Sequence, residues 1–199
     1  MGENVVCDAV EGRFLSGRDT NALRAAAERA GRDGIDVLFL RDGPLGDAIV
    51  LASAVGSWVP DILLGVRVDL GTGPHRHPTL LAREMTTFDR LCGGRAVLAL
   101  TGPFTEATVE AATLCREMWT YGVAVGAGPH YPVAGAINRP LPERVGGPPI
   151  ALDLTDGAVT APGPVTGLLA LCDLVLVPAG VVPSFTLPPG VDVCEILEA

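Results

Sequence analysis

Two histidines stand one residue apart, His75 and His77. On an extended segment alternate side chains share a face, so an H-x-H pair offers two imidazoles to one metal ion. A metal-dependent barrel hydrolase built on them needs further ligands from other strand ends. The chain has one more histidine, His130, and no lysine. Pro78 follows the pair and suits the first turn of a helix, which makes His77 a helix-start residue before a ligand. No metal is expected. Just upstream, Gly71-Thr72-Gly73-Pro74 offers backbone amides to a phosphate. Arg76 stands where G-x-G-x-x-G has its third glycine, so a tight turn is the preferred reading.

The other candidates lie where short apolar runs end. These are Arg41 and Asp42, Arg67 and Asp69, Thr101, and Asp153 with Thr155 and Asp156. Strand ends are where β/α proteins carry their chemistry. Arg41 or Arg67 suits an anionic ligand. Asp42 or Asp69 suits proton acceptance or a hydrogen bond to a heterocycle, and these two are the candidate catalytic residues. Mutual ion pairs and turn capping are the plain alternative for each.

The runs themselves alternate strand and helix. Strands are expected over Val5–Val10, Ile35–Leu40, Ile62–Leu70, Ala96–Leu100, Ile150–Leu154, Leu174–Val177 and Val191–Leu197. Between them, Asp19 or Thr20 caps a helix with Leu23, Ala26, Ala27 and Ala30 on one face. Further helices are expected over Asp47–Trp58, Pro78–Leu91, Thr105–Trp119 and Pro164–Cys172. From Gly122 to Pro149 glycine and proline dominate and the pattern weakens. Such alternation implies a mostly parallel sheet wrapped by helices. A β/α barrel usually takes about 250 residues and at least about 200. The 199 residues therefore suit one domain, residues 1–199, with a truncated or minimal TIM-like β/α barrel. An open doubly wound sheet competes with it.

Composition narrows the function. Hydrophobic residues make up 48% and the net charge is −9, which excludes a disordered tail and argues against nucleic acid. All 14 basic residues are arginine. Without lysine there is no lysine Schiff base and no P-loop lysine. The 5 cysteines form no C-x-x-C. No signal peptide or membrane-spanning run is read, so a cytoplasmic protein with buried, reduced thiols is expected.

The segment His75–Arg95 reads HRHPTLLAREMTTFDRLCGGR. It resembles the luciferase-like monooxygenase superfamily, the flavin- or deazaflavin-dependent β/α-barrel oxidoreductases. The matching residues are Arg76-His77-Pro78 and Asp89-Arg90-Leu91-Cys92-Gly93-Gly94-Arg95, with Cys92 in place of the usual serine. Weaker matches are Glu110–Trp119, Tyr131–Pro149 and Leu171–Pro178. The resemblance implies a ring cofactor, FMN or coenzyme F420, at the C-terminal strand ends and a small-molecule substrate. Asp42, Arg67, Asp69 and Thr101 are then the expected ring or substrate contacts. Gly102 joins Thr101 as the remnant of the family's glycine-rich start after the fourth strand.

Departures from the family pattern point the other way. Thr101-Gly102-Pro103-Phe104 replaces a long active-site loop, and the last family strands are not matched. The competing reading is a non-catalytic truncated homologue, a partner subunit or a flavin- or ligand-binding protein. The resemblance also implies a homodimer, or a heterodimer with a longer relative, built on the helices at Asp47–Trp58 and Pro78–Leu91.

Overall fold

A computed structural model describes residues 10–14, 19–70, 76–126, 128–156, 164–181 and 187–197. In chain order the elements are β1 (Val10–Phe14), α1 (Thr20–Arg32), β2 (Val37–Arg41), α2 (Ala48–Val55), β3 (Leu63–Asp69), α3 (Pro78–Leu91) and β4 (Ala96–Thr101). There follow α4 (Glu106–Tyr121), β5 (Val123–Ala124), β6 (Ala136–Ile137), β7 (Ile150–Asp153), α5 (Pro164–Leu169), β8 (Leu174–Pro178) and β9 (Asp192–Leu197). Seven strands close a barrel in the order β1-β2-β3-β4-β7-β8-β9. Every pair in it is parallel, and β1 meets β9 with Gly12 opposite Ile196. Closure decides between the two expected architectures in favour of the minimal barrel.

Alternation along each strand builds two cores. Val37, Phe39, Val97, Ala99, Ala151, Leu174, Leu176, Cys194 and Ile196 fill the inside of the barrel. The other parity, including Leu38, Leu40, Leu64, Val66, Leu98 and Leu100, faces the helices. A barrel this small has little interior to fill. Phe39 occupies much of it, lying across Gly65 on the neighbouring strand; a Cβ on Gly65 would sit 2.1 Å from the Phe39 ring.

Each helix begins on a side chain that the sequence offers. Asp19 accepts from the Ala22 amide at 2.9 Å, and Asp47 accepts from the amides of Ile49 and Val50. His77 Nδ1 accepts from the Thr79 amide with Pro78 in the first turn. Thr105 and Thr108 form a reciprocal cap on α4. The block His75–Arg95 acts structurally where it is described. Leu81, Met85 and Phe88 are fully buried, and Arg95 donates to the carbonyls of Gly56, Val59, Ile62 and Cys92.

Element bounds differ from expectation in places. The first strand lies at Val10–Phe14; residues 5–9, where it was expected, fall outside the described residues. α2 stops at Val55, before Trp58. α4 runs past Trp119 to Tyr121 and ends on Gly122 at φ 72°. The stretch after it holds the antiparallel β5–β6 ribbon, too short to leave a period in the sequence. No helix among the described residues is long and apolar enough to cross a membrane.

Candidate active site

The inward row that is apolar low in the barrel turns polar at its C-terminal mouth. On β3, Phe39's neighbour Gly65 is followed two residues on by Arg67, then Asp69 at the rim. Across the ladder Arg67 sits beside Ala99, and Asp69 beside Thr101. Arg67 is 8% exposed and Asp153 is 4% exposed. Arg67 Nε lies 2.5 Å from Asp153 Oδ2 as an ion pair. Its Nη2 donates to Thr101 Oγ1 at 3.1 Å and also meets the Asp156 carboxylate.

Asp153 is held from the other side. Its Oδ1 accepts from the Thr155 amide at 2.9 Å and from the Thr155 hydroxyl at 2.7 Å. This turn at the end of β7 directs Asp156 back over Arg67. Asp69 lies under Gly102, which has φ 98°; a Cβ on Gly102 would stand 2.5 Å from Asp69 Oδ1. Only glycine lets the loop after β4 come this close.

The structure thus brings together Arg67, Thr101, Asp69 and Gly102. Asp42 is held elsewhere. Its Oδ1 accepts from the Ala48 amide at the start of α2, and Arg76 stands 3.7 Å away. Arg76 also pairs with Asp47 and Glu84. Arg41 is exposed at the end of β2. His77 caps α3 and meets the Tyr131 ring edge-on at 5.6 Å. Gly71–Pro74 and His75 lie outside the described residues.

Sequence reasoning named Asp153, Thr155 and Asp156 as strand-end residues without joining them to Arg67. The available signal was D-x-T-D at a strand end, a sequence able to fold back on its own aspartate. Charge follows from the inventory. Arg41 and Arg67 face Asp69, Asp153 and Asp156, so the mouth leans negative. Inside the barrel, burial first of all pushes the Cys194 thiol up to about 12, with Asp36, Asp153 and Glu195 adding to it.

Residues 7–103, about half of the chain, match the model of the luciferase-like monooxygenase family. Over that stretch the chain is similar to this family. No curated protein matches it in sequence. Among solved structures it resembles the coenzyme F420 dependent tetrahydromethanopterin reductase from Methanopyrus kandleri, with a TM-score of 0.68 and 17% identity. That match covers 86% of this chain and 56% of the reductase. Long-chain alkane monooxygenase LadA gives 0.65 at 15% identity, over 86% of this chain and 56% of LadA. The oxygenating constituent of 3,6-diketocamphane monooxygenase from Pseudomonas putida, in complex with FMN, gives 0.62 at 15% identity. It is matched over 85% of this chain and 58% of its own. The chain therefore spans little more than half the length of these neighbours.

Proposed function

We propose that the protein is a flavin- or F420-dependent oxidoreductase of the luciferase-like type, acting on a small molecule at the barrel mouth. The observation that carries this reading is the change of the inward row from apolar to polar at the C-terminal strand ends, where Arg67, Asp69, Thr101 and Asp153 gather. Such a floor suits the polar edge of an isoalloxazine-like ring. The ring, when bound, supplies the hydride or oxygen chemistry. Thr101 Oγ accepts from Arg67 and keeps its own proton to donate. Asp69 at the rim accepts a proton or an N–H. The cluster fits the ring better than the cofactor's phosphate, because two carboxylates already neutralise Arg67 and the mouth leans negative.

That same neutralisation favours the second reading, a non-catalytic homologue that serves as a partner subunit or binds a flavin or other ligand. Titration with FMN and with coenzyme F420, followed by ring absorbance and fluorescence, tests the cofactor, and oxidation of the bound reduced cofactor by an added small-molecule substrate separates the two. One cofactor should bind at one per chain. Thr101→Val should weaken it by up to about tenfold, the worth of a lost hydrogen bond. Binding of neither cofactor removes the oxidoreductase reading. In both readings the chain pairs with itself, or with a longer relative, across α2 and α3. Exposed Val50 and Leu80 on those helices support this. Buried thiols at Cys92, Cys115, Cys172 and Cys194 suit a reducing cytoplasm.

A further inference from the structure

A second concave site lies away from the barrel mouth. α3 descends from the mouth and ends at Leu91, next to the start of β4, so its last two turns flank the opposite face of the barrel. There a hollow of about 400 Å³ opens between α3 and the segment 138–140. Arg83, Arg90 and Arg139 all line it, together with Thr87, Asn138 and Leu91. No carboxylate lines it among the described residues.

The three arginines on its walls are exposed, so water screens their mutual repulsion, and an anion held between them gains from each charge. The partners they already have leave donors to spare. The exposed Arg83 guanidinium has no hydrogen-bond or ion-pair partner among the described residues, while its backbone carbonyl accepts from the Thr87 hydroxyl at 3.1 Å. Arg90 donates through Nη1 to the Leu141 carbonyl at 3.2 Å, and the same atom stands 3.4 Å from Glu143. Arg139 donates through Nη2 to the Tyr121 carbonyl at 3.4 Å, with its guanidinium against Gly122 at the end of α4. Asp89, the other acid nearby, is fully buried and accepts from the Arg144 amide. The floor is rigid, because Asn138, 2% exposed, donates to Thr86 Oγ1 at 2.8 Å and to the Met118 carbonyl. In a chain of net charge −9, an arginine-only hollow marks a place where negative charge is wanted.

We propose that this hollow binds the phosphate or pyrophosphate group of a small molecule, with Leu91 and Pro140 against its apolar body. Planar guanidinium forks match phosphate oxygens in pairs, which single surface charges do not. The volume lies in the range of small-molecule sites. The site stands apart from the proposed cofactor position and does not depend on it.

Isothermal titration with inorganic pyrophosphate tests this at fixed ionic strength. The parent protein should bind one pyrophosphate per chain. Arg83→Ala should weaken binding by about tenfold or more, the worth of one charge-assisted hydrogen bond. Its thermal transition without ligand should not move, since the Arg83 guanidinium is exposed and has no partner among the described residues. Arg29→Ala on α1 should bind as the parent does. Equal affinity in the parent and in an Arg83→Ala/Arg90→Ala double variant overturns the proposal, as does the absence of binding at millimolar pyrophosphate.

Discussion

Arg67 and Asp153 reach across the barrel mouth from β3 and β7 and meet at 2.5 Å with side chains 7% and 0% exposed. A buried pair of this kind contributes little over an apolar pair, yet losing one partner strands the other charge. Asp153→Leu should therefore lower unfolding free energy by about 3 kcal/mol, the low end for a broken buried pair, because Asp156 and Thr101 still engage Arg67. Arg67→Met with Asp153→Leu should recover most of that loss. Urea unfolding of the parent, Asp153→Leu, Arg67→Met and the double variant measures it. Additive losses in the double variant would contradict the pairing. Asp153, Asp156 and Thr101 engage Arg67, the mutual ion pairing that its strand-end position offered beside an anionic ligand.

Phe39 and Gly65 give the second prediction. With 2.1 Å between the ring and a built Cβ, Gly65→Ala overpacks the barrel interior. Forced shifts of this kind cost about 1–3 kcal/mol. Phe39→Leu in the Gly65→Ala background should restore part of the thermal stability by vacating the space. A Gly65→Ala protein as stable as the parent would show that Phe39 does not fill the interior as described.

The barrel was legible because its strands are continuous apolar runs and its helices carry caps at their starts. Asp19, Asp47, Pro78 and Thr105 each mark a helix start within a residue or two. Closure was not legible: it depends on β1 pairing with β9, and no local pattern records a contact between chain ends. The site was half legible. Strand-end position picked out Arg67, Asp69 and Thr101, but nothing in the sequence tells that Asp153 and Asp156 turn back onto Arg67. Asp42 shared the same positional signal, and its Oδ1 accepts from the Ala48 amide at the start of α2. The arginine hollow left no motif, because Arg83, Arg90 and Arg139 come together only when the 138–140 segment folds onto α3.

Buried thiols set a pH dependence. Burial pushes Cys115 and Cys172 up to about 12 from 9.0, as it does Cys194. The folded state thus favours the protonated thiols. Below about pH 9 both states hold these protons and the contribution is complete. Between about 9 and 12 the unfolded chain releases them first, so stability should fall as pH rises through that window. Iodoacetamide at about pH 8 should leave Cys115, Cys172 and Cys194 unlabelled in the native protein and label them in urea. Mass spectrometry of the peptides reads this directly, and native-state labelling at any of the three would contradict its burial.

Association across α2 and α3 can be tested because buried and exposed residues on these helices are now distinguishable. Phe88, in the apolar stripe of α3, is a poor probe. Phe88 is fully buried, so an aspartate there places a charge in the core and should unfold the chain whether or not it dimerises. Val50 and Leu80 are 67% and 49% exposed, and exposed substitutions usually change stability by about 0.5 kcal/mol or less. A dimer covering them would have to desolvate any charge placed there. Val50→Glu with Leu80→Glu should therefore give a folded monomer with the parent's thermal transition at low concentration. Light scattering of the parent at high micromolar concentration should give the mass of two chains, and that of the double variant one. A parent that stays monomeric, or a variant that keeps the dimer mass, would move the contact away from these two helices.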